Sequence, residues 1–290
     1  MLRIALLIAF AAASFAQDFS DLHVERVAAG MRYAEGPVWS LEGYLLFSDT
    51  PSNLLQKFVP GKGVEPVGDR PGGPSGNAFD EQGRLYTCET RERRVVRVDK
   101  KGKMDVIASQ YQGKRLNAPN DIVVRRDGVV YFTDPAFGSQ QDQRELDFYG
   151  VYRVSTKGEI EAIARWKTRP NGIALSPNGR ILYVTDSDAR NIKAFDLDRG
   201  GTASNERVLV ASVPGVPGGV RVDEKGNLWV AAKQVYTYSA QGKLLNSFEL
   251  GEPPSNLAFG DGDFETLYIT AGTSVFRIRS GVKGALPYAP

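Results

Sequence analysis

The sequence predicts an all-β protein, a six-bladed β-propeller, and three observations carry that prediction. Six segments repeat a two-part pattern in which a short polar turn leads into an alternating strand and a second strand follows after a further turn. The first positions of these segments lie 40, 45, 51, 47 and 37 residues apart, close to the roughly 40 to 50 residues of one propeller blade. β-branched and aromatic residues fill the runs, Gly, Asn and Asp punctuate them, and no apolar stretch of helical period competes. A two-sheet sandwich also uses short strands, but sixfold repetition at blade length argues for radial closure.

In chain order, the first element is not part of the repeat. "MLRIALLIAFAAASFA" places Arg3 before an apolar run and small residues after it, the pattern of a secretory signal peptide over residues 1–16 with cleavage after Ala16. The apolar run is shorter than the roughly 20 residues of a membrane-spanning helix. The expectation is a secreted or periplasmic protein, free of the membrane after cleavage, with residues 17–290 forming one propeller domain. An open ring would leave sheet edges exposed. "DLHVERVAAG", Asp21 to Gly30, is expected to supply the outer strand of the last blade, so that both ends of the chain fasten one sheet.

The six inner strands open with "EGPVW" at Glu35, "SGNAF" at Ser75, "NDIVV" at Asn120, "NGIAL" at Asn171, "GGVRV" at Gly218 and "SNLAF" at Ser255. Second strands follow as "YLLFSDT", "RLYTCET", "VVYFTDP", "ILYVTDS", "NLWVAAK" and "TLYITAG", and third strands as "RVVRVD", "GVYRVS", "NIKAFDL", "QVYTYS" and "SVFRIR". The basic run "RERRVVRVDKKGK" from Arg91 alternates charged and apolar residues, as a strand with one solvated face does. The longest insertion, "FGSQQDQRELDFYG" from Phe137 to Gly150, is a candidate lid or specificity loop, or a solvated excursion.

Composition narrows the function. A net charge of +2, from 36 basic and 34 acidic residues, offers no attraction for nucleic acid or an anionic membrane. Cys88 is the only cysteine, so no intramolecular disulfide forms. His23 is the only histidine, near the mature N-terminus, which argues against a Ser-His-Asp or Cys-His arrangement and excludes a His-rich zinc site.

Radial repetition brings equivalent residues toward one axis. Glu35, Ser75, Asn120, Asn171, Gly218 and Ser255 should therefore ring one mouth of the channel, with one carboxylate and two amide oxygens among them. Such oxygen donors suit a hard divalent cation, Ca²⁺ first, with Mg²⁺, Mn²⁺ or Zn²⁺ as other candidates. An Asn at the start of a strand also commonly bonds its own backbone. Asp49, Glu89, Asp134 and Asp186 close the second strands, where the last two blades carry Ala232 and Ala271. Antiparallel pairing returns these ends to the same mouth. Turn formation suits Asp49 and Asp134, and Asp186, which follows Asn171 in its blade, is the preferred catalytic candidate.

"AEGPVW", "NAPNDIVVRRDGVVYFTDPAFG", "RPNGIALSPNGRILYVTDS" and "GGVRVDEKGNLWVAA" resemble the family that joins senescence marker protein (regucalcin), gluconolactonase and luciferin-regenerating enzyme. The resemblance covers nearly the whole mature chain. It implies a calcium-type six-bladed propeller that hydrolyses lactones, with Glu35 and Asn171 as metal ligands and Asn120 as ligand or substrate contact. The family's third ligand, the Asp of P-D-G, has no counterpart: Pro217, Gly218 and Gly219 stand there.

Three expectations follow. A gluconolactonase-like hydrolase would use the cation to polarise a lactone carbonyl while Asp186, Asp134 or cation-bound water delivers the nucleophile, with Arg115, and also Arg144, as candidate contacts to a carboxylated substrate. Related chemistry on another ester, such as an organophosphate, is a second expectation. The third is a non-catalytic secreted propeller that binds a sugar acid or a protein partner, in which Gly218→Asp would create metal affinity or activity.

Overall fold

The computed structural model describes residues 22–69 and 72–289. The signal segment expected over residues 1–16 lies outside them. Six four-stranded antiparallel sheets make up the architecture, and the inner strands are Ala34–Ser40, Pro74–Phe79, Ile122–Val124, Pro170–Leu175, Val220–Val222 and Pro254–Gly260. This is the six-bladed propeller that the repeat predicts. In blades three and five the ladder begins only after Asn120 and Gly218.

The ring closes as expected. Glu25–Ala29 pairs antiparallel with Ser274–Arg279 and completes the sixth sheet. Strands drawn from the two ends of the described chain thus share one blade, which leaves no unpaired strand between the first and last blades.

Alternation along each strand buries one row of side chains on each face of every blade, so the core is divided into six inter-blade layers rather than one centre. Between blades six and one, Trp39, Phe47 and Phe58 pack on Ala258, Tyr268 and Val275. The Trp39 and Tyr268 rings stack with centroids 5.4 Å apart and planes 9° from parallel. Equivalent layers join the other neighbours, such as Tyr131, Trp166, Val184 and Phe195 between blades three and four.

Closest to the axis the blades are stitched by hydrogen bonds. Ser48, Thr133 and Thr185, at matching places on three second strands, each donate a hydroxyl 2.6 Å to the carbonyl of the next blade's ring residue, Ser75, Asn171 and Gly218. Backbone N–H groups of Gly76, Gly172 and Gly219 donate to the carbonyls of Asn120, Gly218 and Ser255 in the same sense. Buried Cys88 takes the matching place in blade two, consistent with a structural thiol.

The far mouth of the channel is covered. Tyr288 donates its hydroxyl to the carbonyl of Trp39 at 2.7 Å, Arg126 reaches the carbonyl of Ala289 at 2.8 Å, and Gly284 bridges to Asp223. The ring mouth is the open one.

Candidate functional site

All six ring positions line one open cavity of about 620 Å³. Glu35, Ser75, Asn120, Asn171, Gly218 and Ser255 form its inner part. Tyr33, Thr50, Thr90, Phe137, Gln140, Ser187, Val216, Lys233 and Pro253 are among the residues that build its walls. Phe137 and Gln140 come from the long insertion, which carries a short 3₁₀ helix over Gly138–Gln143.

Three oxygens in this cavity are buried and lack any hydrogen-bond donor: Glu35 Oε2, Asn120 Oδ1 and Asn171 Oδ1. The rest of each group is engaged. Asn171 Nδ2 donates to Ser187 Oγ at 3.0 Å, and that hydroxyl donates to the Pro217 carbonyl at 2.9 Å. Asn120 Nδ2 lies 3.5 Å from Ser75 Oγ, and Glu35 Oε1 accepts from Asn256 Nδ2 at 3.3 Å. Buried polar atoms are nearly always satisfied, so this trio of unpartnered acceptors in one ring could hold a cation. Among the described residues no cluster of three or more carboxylate, imidazole or thiolate groups is placed to hold a metal; one carboxylate and two amides suit a hard ion better than a d-block one.

Burial, assisted by the nearby charge of Asp121, pushes the Glu35 carboxyl up to about 7, although hydrogen bonds from Ser255, the Gly36 backbone and Asn256 pull it down. A cation would reverse that bias by stabilising the ionised form.

A second layer lies one residue further along the inner strands, and sequence reasoning missed it. Asp121 is fully buried. Its Oδ2 accepts from Arg221 Nη1 at 3.2 Å, Ile173 N at 3.3 Å and Asn256 Nδ2 at 3.4 Å. The repeat did hold a signal: the residue after each ring position is Gly36, Gly76, Asp121, Gly172, Gly219 or Asn256, and only two of the six carry a side chain. The glycines are there because neighbouring backbones meet. A Cβ on Gly172 would lie 2.5 Å from the Gly218 carbonyl oxygen.

The expected catalytic acids are placed differently. Asp134 and Asp186 are fully buried and do not line the cavity. Asp134 accepts the N–H groups of Asn117 and Ala118, both at 2.7 Å. Asp186 accepts from Thr168 Oγ1 and the Ala189 N–H, and Asp49 likewise holds the N–H groups of Arg32 and Tyr33. Each acid braces the loop that enters its own blade's inner strand, so Asp134 and Asp186 position ring residues rather than face water.

Arg115 is exposed and spent on the Glu92 carbonyl, while its N–H donates to Glu145. Arg144 sits over the Tyr149 ring, 4.4 Å from its centroid. Neither lines the cavity. Gly218 does, but a Cβ there would lie 2.3 Å from the Ser255 carbonyl oxygen. An aspartate at 218 therefore does not fit this backbone as it stands, which corrects the expectation that the substitution simply restores a ligand.

Residues 33–273 match the model of the SMP-30/Gluconolactonase/LRE-like region, a span that includes all six inner strands. The chain belongs to this family. Within the family it is 33% identical over 293 residues to a gluconolactonase of Zymomonas mobilis, covering 90% of this chain and 82% of that one. It is 27% identical to the pentonolactonase XacC of Haloferax volcanii, over 84% and 83% of the two chains. The solved structure of a gluconolactonase from Xanthomonas campestris superposes with a TM-score of 0.84 at 32% identity, covering 92% of each chain. Family membership thus agrees with the resemblance carried by the sequence motifs.

Proposed function

We propose that this protein is an exported, divalent-cation-dependent hydrolase of sugar lactones, with Ca²⁺ as the first candidate. The observation that carries the reading is the trio of unpartnered oxygens, Glu35 Oε2, Asn120 Oδ1 and Asn171 Oδ1, inside a cavity of about 620 Å³. Kinship with gluconolactonase and pentonolactonase proteins supports the reaction class. The leader over residues 1–16 supports export.

A hard cation held by these oxygens supplies Lewis-acid polarisation of the lactone carbonyl and neutralises charge on its oxygen as water adds. The chain's own residues do the rest. Glu35 contributes the single negative charge of the donor set. Ser187 and Ser75 hold the amide nitrogens of Asn171 and Asn120, so that both carbonyl oxygens stay free. Tyr33, Phe137, Val216 and Pro253 give the cavity apolar walls, and Thr50, Thr90, Gln140 and Ser187 offer partners to the hydroxyls of a sugar ring. Attack of water on the carbonyl carbon and cleavage of the ring C–O bond yield the open hydroxy acid. Glu35 is the only carboxylate lining the cavity among the described residues and is committed to the cation, so the proton released by the attacking water passes through solvent at the open mouth to the departing ring oxygen, which becomes the new hydroxyl.

The test is hydrolysis of D-glucono-1,5-lactone after chelator treatment and repletion with Ca²⁺, Mg²⁺, Mn²⁺ or Zn²⁺. Activity should vanish on chelation, return with one cation and be absent from Glu35→Gln at native fold content. Turnover that survives both treatments would remove the cation and Glu35 from the reaction. Gly218, which leaves the donor set with one charge, favours a second reading as a binding protein for sugar acids. Cation binding without turnover of any lactone or ester would establish it.

A further inference from the structure

Among the described residues two charged side chains line the cavity, and they stand at opposite levels of it. Glu35 is buried in the ring, 7% exposed, and Lys233 is exposed at the rim. The repeat explains where Lys233 comes from. The rim position follows the residue that closes each second strand, and it is held by Thr50, Thr90, Pro135, Ser187, Lys233 and Gly272. Lys233 is the one charged member of that set. It stands in the blade whose ring residue is Gly218 and whose strand-closing acid is replaced by Ala232.

Lys233 is also uncommitted. Cations in the other blades are tied down: Arg169 pairs with Asp188, Arg94 with Glu89, and Lys193 with Asp186 and Glu206. Among the described residues no carboxylate pairs with Lys233. Of the acids that close the other second strands, Asp49, Asp134 and Asp186 are turned away into loop-bracing bonds and Glu89 pairs with Arg94, so none competes for it. The cavity thus has a buried anionic donor at one end and a free ammonium at the other, with uncharged residues between.

We infer that Lys233 is a specificity-determining residue that selects lactones carrying a second, ionised acid group, a carboxylate or a phosphate remote from the reacting carbonyl. This rests on the lactone hydrolase reading above. A substrate whose carbonyl faces the Glu35, Asn120 and Asn171 oxygens extends its far end toward the rim, where an anion meets one unpaired cation. Where three other blades carry the hydroxyls of Thr50, Thr90 and Ser187, a lysine rewards an anionic tail and adds nothing for a neutral one.

The experiment compares D-glucaro-1,4-lactone, which keeps a free carboxylate, with neutral D-glucono-1,5-lactone, using wild type, Lys233→Gln and Lys233→Arg. Wild type should prefer the anionic lactone. In Lys233→Gln the ratio of kcat/KM for anionic over neutral substrate should fall about 10- to 100-fold, the worth of one charge-assisted hydrogen bond, and Lys233→Arg should recover most of it. In parallel, calorimetry measures D-glucarate, 6-phospho-D-gluconate and D-gluconate. Tighter binding of D-glucarate or of 6-phospho-D-gluconate than of D-gluconate, lost in Lys233→Gln, identifies carboxylate or phosphate as the favoured group. A ratio unmoved by Lys233→Gln, or equal binding of all three acids, overturns the assignment. If neither lactone is turned over, the hydrolase reading fails, and the calorimetry alone decides the role of Lys233.

Discussion

A Cβ on Gly218 would lie 2.3 Å from the carbonyl oxygen of Ser255 in the next blade. The glycine is therefore fixed by contact between blades as well as by the composition of the ring. Gly218 N–H donates to the Ala231 carbonyl, and Gly219 N–H to that same Ser255 carbonyl, both at 2.8 Å. Backbone cannot yield here as a flexible side chain would. Gly218→Ala and Gly218→Asp should each cost about 1–3 kcal/mol without added cation. For a domain of this size that lowers Tm by several degrees, at about 2–4 °C per kcal/mol. A melting temperature equal to wild type in both variants would show that the blades move apart freely.

Arg221 and Asp121 form the charge pair beneath the ring, at 3.2 Å, with the carboxylate fully buried. Removing one partner of such a pair leaves an uncompensated charge. Arg221→Met should destabilise the protein by roughly 2–4 kcal/mol, below the full range for buried pairs because the guanidinium is partly exposed. Urea unfolding measures this directly, and an unchanged midpoint would assign the stability of Asp121 to Asn256 and the Ile122 and Ile173 N–H groups.

Asp134 gives the pH dependence its sign. Burial pushes its carboxyl up to about 7, against the lowering effect of the Asn117 and Ala118 N–H groups and of Arg93. Since its ordinary value is about 3.9, the fold holds the proton more tightly than the unfolded chain. The resulting stability is present in full below about pH 4 and is lost as pH rises through 7, on the order of 4 kcal/mol in all. Asp134→Asn removes this titration. Its stability relative to wild type should rise between pH 4 and pH 8, whereas a pH-independent difference would mean that Asp134 is ionised throughout.

Ser187 holds Asn171 by its amide nitrogen while its own proton is fixed on the Pro217 carbonyl. Ser187→Ala frees the amide to rotate. Cation affinity should fall about tenfold, as for other groups that orient a ligand, and Ser187→Thr should keep most of it. Equal affinity in the alanine variant would mean that the surrounding backbone alone orients Asn171.

Much of this was legible in the chain. Blade number, the closing strand and the six ring positions follow from spacing and alternation, since each blade repeats one local pattern at one radius. Glu35, Asn120 and Asn171 stood out because a carboxylate and two amides break a set otherwise made of serine and glycine. Asp134 and Asp186 misled because their role is set by loops 16 to 18 residues away in sequence, Asn117 and Ala118 for one and Thr168 for the other, and alternation within a strand is blind to that. Asp121 and Asn256 were missed because their position is glycine in the other four blades, which reads as a turn until the backbones are seen to touch. The fit of Gly218 against Ser255 is a contact between blades and has no local signature.

The most direct test of the central claim, that Glu35, Asn120 and Asn171 together hold a hard divalent cation, is calorimetric titration of Ca²⁺ into the protein from Gln17 onward, with Glu35→Gln as control. The predicted result is one binding event per chain in wild type and none in the variant. Binding that is equal in the two proteins, or absent from wild type for Ca²⁺, Mg²⁺, Mn²⁺ and Zn²⁺ alike, would contradict it.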